Sequence, residues 1–218
     1  GRSNEIWKDE ELRTYLLIVL IAWIAMAVNI HRSEELGYGI SESIRHSIFQ
    51  AISITSTGYS SANFSDWPVF SQFVLLLLMI IGASAGSTGG GLKVLRIRIA
   101  FELAKREVIK IIQPRKVVAI RFNKSVVDEE RVWIILGMVS SWFVLVTASM
   151  LTISFLEPNL EMDDVLSVSV SLLGNTGPAL GDFGPSDAAS SWASLSTPSL
   201  LASTILMWLG RLELLTVL

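Results

Sequence analysis

The sequence predicts an all-α integral membrane protein made of two tandem repeats, and three observations lead to this fold class. Hydrophobic residues make up 51% of the 218 residues and charged residues only 17%, and the mean hydropathy is +0.54. Such a composition lies outside the range of soluble globular domains. Four apolar stretches are long enough to cross a bilayer, and the two halves of the chain match one another.

The residue types also exclude several classes of function. The chain contains no cysteine, so it has no disulfide framework, no Cys-based zinc site and no thiol nucleophile. His31 and His46 are the only histidines available for acid–base or metal chemistry. The chain is therefore predicted not to be an enzyme.

The crossing helices are predicted from length and hydrophobicity. About 20 helical residues span roughly 30 Å of hydrocarbon, and four stretches reach that length: 12–30, 67–92, 132–156 and 198–218. Trp67, Trp133 and Trp192 lie at or near the ends of these stretches, as interfacial anchors do. The last stretch runs to the end of the sequence, and the sequence begins without Met, so we expect a longer protein.

Two shorter apolar pieces, 41–54 and 161–173, lie between the long ones. Each would form a helix of roughly 20 Å, which is too short to cross the bilayer. Length alone fits either a re-entrant half-length helix or an amphipathic helix lying on the membrane surface. The glycine-containing turn after each piece favours the re-entrant arrangement.

Charge orients the chain in the membrane. Ten of the 17 basic residues fall between Lys93 and Lys124, and none lies between Leu156 and Gly210. The positive-inside rule places the linker 93–130 and the N-terminal segment 1–11 in the cytoplasm and both half-length helices on the outer side. The stretch from Glu157 to Asp187 is acidic and would concentrate cations outside. The linker could bind anionic lipid. Because the linker is continuous with a membrane span, we do not expect it to bind nucleic acid.

The repeat appears when the sequence is compared with itself. An offset of 119 positions places Thr57 on Thr176 and Gly58 on Gly177, and an offset of 128 aligns the last helices after a longer outer loop. Each unit contains a crossing helix, a half-length helix, a Thr-Gly turn and a second helix. The first unit covers 12–92 and the second covers 131–218, where the sequence ends within an apolar run.

The Thr-Gly turns, 55–60 and 174–178, would have a chemical use midway through the membrane. The C-terminal end of a helix carries roughly half a negative charge, which favours a nearby cation. Carbonyl oxygens of extended backbone can replace the water around a dehydrated ion. Glycine allows backbone conformations that align successive carbonyls. Irregular backbone within a membrane must be buried or line a watery cavity, so these turns are predicted to line a pathway.

The segment Thr57-Gly58-Tyr59 resembles a reduced form of the Thr-Val-Gly-Tyr-Gly filter of potassium channels. Nearly the whole chain resembles the C-terminal half, repeats three and four, of the Trk/Ktr/HKT potassium-transporter superfamily, of the TrkH or KtrB type. The resemblance implies half of a four-repeat pore for potassium uptake, with glycine in both repeats favouring K⁺ over Na⁺. It implies a K⁺-binding filter formed by Thr55, Ser56, Thr57, Gly58, Tyr59, Gly174, Asn175, Thr176 and Gly177.

A glycine-rich segment, 82–93, interrupts the second long stretch. Glycine costs about 1 kcal/mol relative to Ala in a helix, so the helix is predicted to break there and the segment to lie in the pore. Arg211, which follows the corresponding Gly210, should lie at the same depth and face the bundle interior, because a cation facing lipid is costly. The resemblance favours a gate formed by Gly82, Gly86, Gly89, Gly90, Gly91 and Arg211.

The resemblance also implies partners and a location. The protein would be a multi-pass protein of the cytoplasmic membrane that needs no cofactor, and it would form a homodimer. The pore would be completed by missing N-terminal repeats or by a second copy, and a cytosolic nucleotide-binding regulatory subunit of the RCK type would bind it. The residues leave open whether transport is passive or coupled to H⁺ or Na⁺.

Two other functional classes remain open from the sequence. The first is a membrane subunit with a structural or assembly role and no pore of its own. The second is an intramembrane serine hydrolase, because residues 82–86 fit the G-x-S-x-G pattern around Ser84. That serine would need a base, and both histidines are predicted to lie towards the outer face.

Overall fold

The fold was analysed in a computed structural model, which describes residues 8–84, 87, 89–116, 118–123, 125–185 and 192–211. Its secondary structure is almost entirely helical, apart from a hairpin of two short strands. The predicted all-α class is therefore confirmed. The helices are α1 (Glu10–His31), α2 (Ile40–Ile54), α3 (Val69–Ile80), α4 (Val94–Ile112), α5 (Glu129–Leu156), α6 (Met162–Gly174) and α7 (Thr197–Arg211), and the strands are β1 (Arg121–Phe122) and β2 (Ser125–Val126).

Helices α1 and α5 are the two described helices that are long and apolar enough to cross a membrane. They contain 22 and 28 residues, or about 33 and 42 Å of helix. Both begin with acidic residues in the first turn, where negative charge complements the helix dipole. The Asp9 side chain also accepts a hydrogen bond from the Glu11 amide and caps α1.

Helices α2 and α6 are the half-length helices. They contain 15 and 13 residues and are about 20 Å long. The first packs against α1 and α3, and the second packs against α3, α5 and α7. Every residue of α6 from Asp164 to Gly174 except Leu166 is buried, so this helix is enclosed by other helices rather than lying on a surface.

Helices α3 and α7 follow the two turns. Helix α3 has 12 residues and ends at Ile80, within the predicted stretch 67–92 and just before the glycines. Helix α7 has 15 residues up to Arg211, and the rest of the predicted stretch, 212–218, lies outside the described residues. Neither reaches the length of a crossing helix as described. The starts of α1 and α5 are 119 residues apart and those of α3 and α7 are 128 apart, as in the sequence comparison.

The basic linker, which the sequence analysis characterised only by its charge, contains α4 and the β1–β2 hairpin. Helix α4 packs on α5 and α1, with Ile99 and Leu103 buried against Val132. Polar contacts add to this packing, because the Arg106 guanidinium is buried and donates hydrogen bonds to Glu107 and Glu129. The linker is therefore folded against the membrane helices.

One hydrophobic core joins the two repeats. It includes Met26 and Ile54 from the first repeat and Val146 and Leu173 from the second, together with Leu75 of α3. A smaller cluster under the outer connections contains Phe183 and Leu195. The shared core fixes the position of α2 relative to α6 and therefore the relative position of the turns at their ends.

Candidate ion pathway

The first Thr-Gly turn is held by the carbonyl oxygen at the end of α2. The amides of Ser56, Thr57 and Gly58 donate hydrogen bonds to the Ser53 carbonyl at 3.0, 2.9 and 2.8 Å. In a trans peptide the carbonyl points opposite to the following N–H, so the carbonyls of Thr55, Ser56 and Thr57 point away from the helix end. No hydrogen bond between described residues ends on these three oxygens. Within the described part of the chain, they are the candidate ligand oxygens of this turn.

Side chains fix the two ends of this turn. The Thr55 hydroxyl is buried, donates to the Ile52 carbonyl at 2.9 Å and lies 3.0 Å from the Tyr15 hydroxyl of α1. At the other end, the Ser53 hydroxyl donates to the Tyr59 carbonyl at 2.7 Å. The Tyr59 ring itself is 71% exposed. The hydroxyl groups therefore support the backbone, which leaves the main-chain oxygens as the candidate ligands.

The second turn has a related construction at the end of α6. Asn175 adopts the left-handed conformation, with φ +50°, and its side-chain amide donates to the Met207 carbonyl of α7 at 3.1 Å. The Thr176 amide donates to the Ser171 carbonyl at 3.2 Å, and the Thr176 hydroxyl donates to the Ser171 hydroxyl at 3.0 Å. Each turn is therefore tied both to its own half-length helix and to a neighbouring helix, the first to α1 and the second to α7.

The two turns touch each other. Gly58 has φ +73°, and a Cβ built there would overlap the Thr176 carbonyl oxygen and lie 2.9 Å from Pro178 Cδ. Glycine is needed at this position both for its backbone conformation and for the close approach. Outside the turns, the Ser65 hydroxyl donates to the Gly181 carbonyl at 3.0 Å. The ends of α2 and α6 therefore converge on one place. Gly177, with φ +98°, follows Thr176 in the second turn.

The glycine-rich segment forms a loop closed at its base. Ile81 and Leu92 pair as a parallel bridge, with hydrogen bonds from the Gly82 amide to the Leu92 carbonyl at 2.9 Å and from the Leu92 amide to the Ile80 carbonyl at 3.0 Å. A Cβ at Gly82 would overlap the Gly90 carbonyl oxygen. The chain therefore leaves α3, makes a loop and returns beside its starting point. Gly86 lies outside the described residues.

The loop lies against the ends of both half-length helices. A Cβ at Gly90 would overlap the Gly174 carbonyl oxygen and lie 3.2 Å from Asn175 Cβ. A Cβ at Gly89 would lie 3.9 Å from the Thr55 carbonyl oxygen. Gly91 continues the loop into its base, where a Cβ would lie 3.2 Å from the Ile80 carbonyl oxygen and 3.3 Å from the Met79 carbonyl oxygen. The segment thus packs on the α6 end and lies close to the α2 end.

Lys93 is a site residue that the sequence reasoning missed. Its side chain is buried, with the residue only 2% exposed, and its ammonium donates to the carbonyls of Ser87 at 2.9 Å and Gly89 at 2.6 Å. From its charge alone, Lys93 was assigned to the group of basic residues that orient the chain in the membrane. The available signal was its position directly after a loop predicted to lie within the membrane, where a charged residue is usually functional.

Arg211 is the last described residue of α7 and is exposed in this chain. The preceding Gly210 packs on the backbone of Leu173, where a Cβ would lie 2.9 Å from the Leu173 carbonyl carbon. Gly91 and Gly210 line the same pocket. This pocket connects the end of α7 with the base of the loop.

The geometry around Ser84 does not resemble a hydrolase site. The Ser84 carbonyl accepts a hydrogen bond from the Ser87 amide at 2.9 Å. His46 Nδ1 lies 3.3 Å from the Ser61 hydroxyl, and His31 is exposed at the end of α1. Within the described ranges, neither histidine forms a hydrogen bond with Ser84. The described residues also contain no group of three His, Cys, Asp or Glu residues suited to a metal ion.

Two half-length helices, each ending in a turn, therefore pack in a bundle with two helices that are long and apolar enough to cross a membrane. Residues 7–218 match the model of the TrkH family, which is described as "Cation transport protein". The chain belongs to the TrkH family. This confirms the predicted resemblance and the prediction that the chain is not an enzyme.

Individual relatives agree with this assignment. The chain is 30% identical over 217 residues to the Trk system potassium uptake protein TrkH of Halomonas elongata, covering 99% of this chain and 43% of that protein. It is 28% identical over 229 residues to TrkH of Escherichia coli K12, covering 100% and 44%. The crystal structure of the potassium transporter TrkH from Vibrio parahaemolyticus matches with a TM-score of 0.84 at 27% identity, covering 97% and 44%. The chain thus spans under half the length of these relatives.

Proposed function

We propose that this chain supplies two of the four repeats of a pore that takes up potassium across the cytoplasmic membrane. The main support is the close approach of Gly58 to the Thr176 carbonyl, which places the turns after α2 and α6 side by side. The names of the relatives, which are potassium uptake proteins, support K⁺ as the transported ion. An acidic outer region from Glu157 to Asp187 would attract cations to the entrance.

The proposed filter works through main-chain oxygens. The carbonyls of Thr55, Ser56 and Thr57 would replace part of the hydration shell of a K⁺ ion, because the amides of this turn are already bound to Ser53. The turn 174–177 would contribute from the second repeat. Two helix C-terminal ends aimed at this place add a favourable potential for a cation. The remaining oxygens would come from the other two repeats.

The proposed gate lies below the filter. Gly90 packs on the second turn and Gly89 lies near the first, so an ion leaving the filter would meet the loop. Arg211 is the last described residue of α7. Its fixed positive charge would repel cations, while the loop would obstruct the path. Movement of the loop would then open the pathway. Neither opening nor closing of this gate would involve a covalent reaction.

The rest of the assembly follows from the incomplete pore. Two further repeats would come from a longer chain, since the relatives are more than twice as long, or from a second copy. A homodimer and a cytosolic RCK-type regulatory subunit that contacts the basic linker are also proposed. Transport could be passive or coupled to H⁺ or Na⁺, and measuring uptake with and without a proton or sodium gradient separates these cases.

The test is potassium-dependent growth of an uptake-deficient host that expresses the complete gene, together with Rb⁺ uptake by the purified protein in vesicles. We expect growth at low K⁺ and saturable Rb⁺ uptake that Na⁺ inhibits weakly. A protein that reaches the membrane and is folded, but neither restores growth nor moves Rb⁺, would contradict the proposal and favour the structural or assembly role.

A further inference from the structure

The buried ammonium of Lys93 has a role that the filter and the gate do not explain by themselves. We propose that Lys93 is the latch of the glycine-rich loop: its ammonium binds the loop carbonyls and holds the loop against the filter turns. The inference rests on the proposed function, because a latch has a measurable effect only if the loop restricts an ion path. It makes Lys93 a positioning residue, since its contacts are with the loop.

The contacts of Lys93 are with loop residues that do not form the bridge at its base. The Ile81–Leu92 bridge closes the base through backbone hydrogen bonds alone. The Lys93 side chain instead reaches the carbonyls of Ser87 and Gly89, at 2.9 and 2.6 Å. Gly89 and its neighbour Gly90 are the residues that approach the two filter turns. The base of the loop and its residues Ser87 and Gly89 are therefore held by different interactions.

Burial makes the latch strong. An ammonium that is removed from water must be compensated by hydrogen bonds, or its desolvation is very costly. Hydrogen bonds that involve a charged group are about twice as strong as neutral ones. When the loop moves, Lys93 loses the carbonyls of Ser87 and Gly89 as acceptors. Opening therefore breaks two charged hydrogen bonds of a buried ammonium.

The same ammonium opposes ions near the loop. A tethered cation bound by carbonyl oxygens occupies groups that would otherwise attract a passing K⁺, and its charge adds to the electrostatic barrier. Because Lys93 is followed immediately by α4 (Val94–Ile112), a displacement of α4 would also pull on the latch. The linker that carries α4 lies on the predicted cytoplasmic side, where a regulatory partner could act.

The test compares Lys93→Met with wild type in the complete transporter. The methionine keeps the length and apolar stem of the side chain but removes the donors. A second variant, Lys93→Gln, is also neutral but keeps one polar amide, and it provides a measurement if the methionine protein does not fold. The matched control is Lys105→Met on the same helix, whose side chain is 58% exposed and lies far from the loop in sequence.

Two readouts are measured. The first is Rb⁺ uptake without any activating partner. The second is the labelling rate of a cysteine introduced by Ser84→Cys, on a cysteine-free background, with a cationic thiol reagent. We expect Lys93→Met to raise the labelling rate about tenfold, equivalent to about 1.4 kcal/mol of loop closure, and to raise basal Rb⁺ uptake several-fold. Lys93→Gln should lie between Lys93→Met and wild type, and Lys105→Met should match wild type in both readouts.

The outcomes separate the latch from the proposed function. If wild type takes up Rb⁺ but Lys93→Met and Lys93→Gln leave both uptake and labelling unchanged, the latch is wrong and the pore stands. If both variants lower uptake without faster labelling, Lys93 serves folding rather than closure, and the latch is again wrong. If folded wild-type protein takes up no Rb⁺, the proposed function itself fails.

Discussion

The substitution Gly58→Ala tests how closely the two filter turns must fit. The Cβ would lie 2.8 Å from the Thr176 carbonyl carbon and 2.9 Å from Pro178 Cδ, whereas nonbonded carbons need about 3.5–4.0 Å. These two contacts alone would require the turns to separate by roughly 0.6–1 Å, and the overlap with the Thr176 carbonyl oxygen requires a larger shift. In addition, φ +73° costs alanine about 1–2 kcal/mol. Since the filter works through oxygens on both sides of this contact, we expect K⁺ uptake at limiting concentration to fall at least about tenfold.

The assay is concentration-dependent Rb⁺ uptake by the complete transporter in vesicles, measured with and without Na⁺. Protein amount and thermal stability are measured alongside, so that a folding defect is distinguished from a filter defect. The control is Gly137→Ala in α5, where a Cβ meets no described atom within 4 Å. That change should leave uptake unaffected and stabilise the helix by up to about 1 kcal/mol. If folded Gly58→Ala protein has the uptake and Na⁺ discrimination of wild type, the proposed filter contact is wrong.

Three further predictions concern the gate, the linker and the outer loop. Arg211→Ala in the complete transporter should raise basal Rb⁺ uptake several-fold by removing a fixed positive charge, and unchanged uptake and gating would count against its role. Arg106→Met removes the buried donor to Glu107 and Glu129 and should lower the free energy of unfolding by about 1–3 kcal/mol, measured in detergent against Lys105→Met. Hydrogen bonds from the Ser196 and Ser199 side chains and the Ser196 amide lower the pKa of Glu157. Its stabilisation is therefore present above the unfolded pKa of about 4.3 and lost as the pH falls through the lower folded pKa. Glu157→Gln should lower the Tm at pH 7, and the difference from wild type should shrink at acid pH; a difference independent of pH would refute this account.

The sequence is informative about the fold because its strongest signals are local. Apolar length, interrupted only by Arg13 in the first stretch, indicated α1 and α5, whose bounds lie within three residues of the predicted ones. The half-length helices α2 and α6 were visible as apolar pieces too short to cross, each followed by a glycine-containing turn. The repeat then related one half of the chain to the other. These features depend on length, periodicity and backbone freedom, which a single sequence displays directly.

The contacts that define the candidate pathway were not visible in the same way. The approach of Gly58 to Thr176, and of Gly90 to Gly174, joins residues far apart in the chain, and no local pattern encodes it. The burial of Lys93 was missed because charge patterning treats every lysine as solvated. Helix α4 was missed because its basic residues dominated the interpretation of the linker, although a buried stripe formed by Ile99 and Leu103 was present.

The central claim is that α2 and α6 direct main-chain oxygens towards one shared cation site. The most direct measurement is an experimental structure of the complete transporter with bound Tl⁺, located by its anomalous scattering. The account predicts a Tl⁺ peak in direct contact with carbonyl oxygens of both turns, 55–58 and 174–177. A well-resolved structure in which Tl⁺ binds elsewhere, or contacts only one of the two turns, would contradict it.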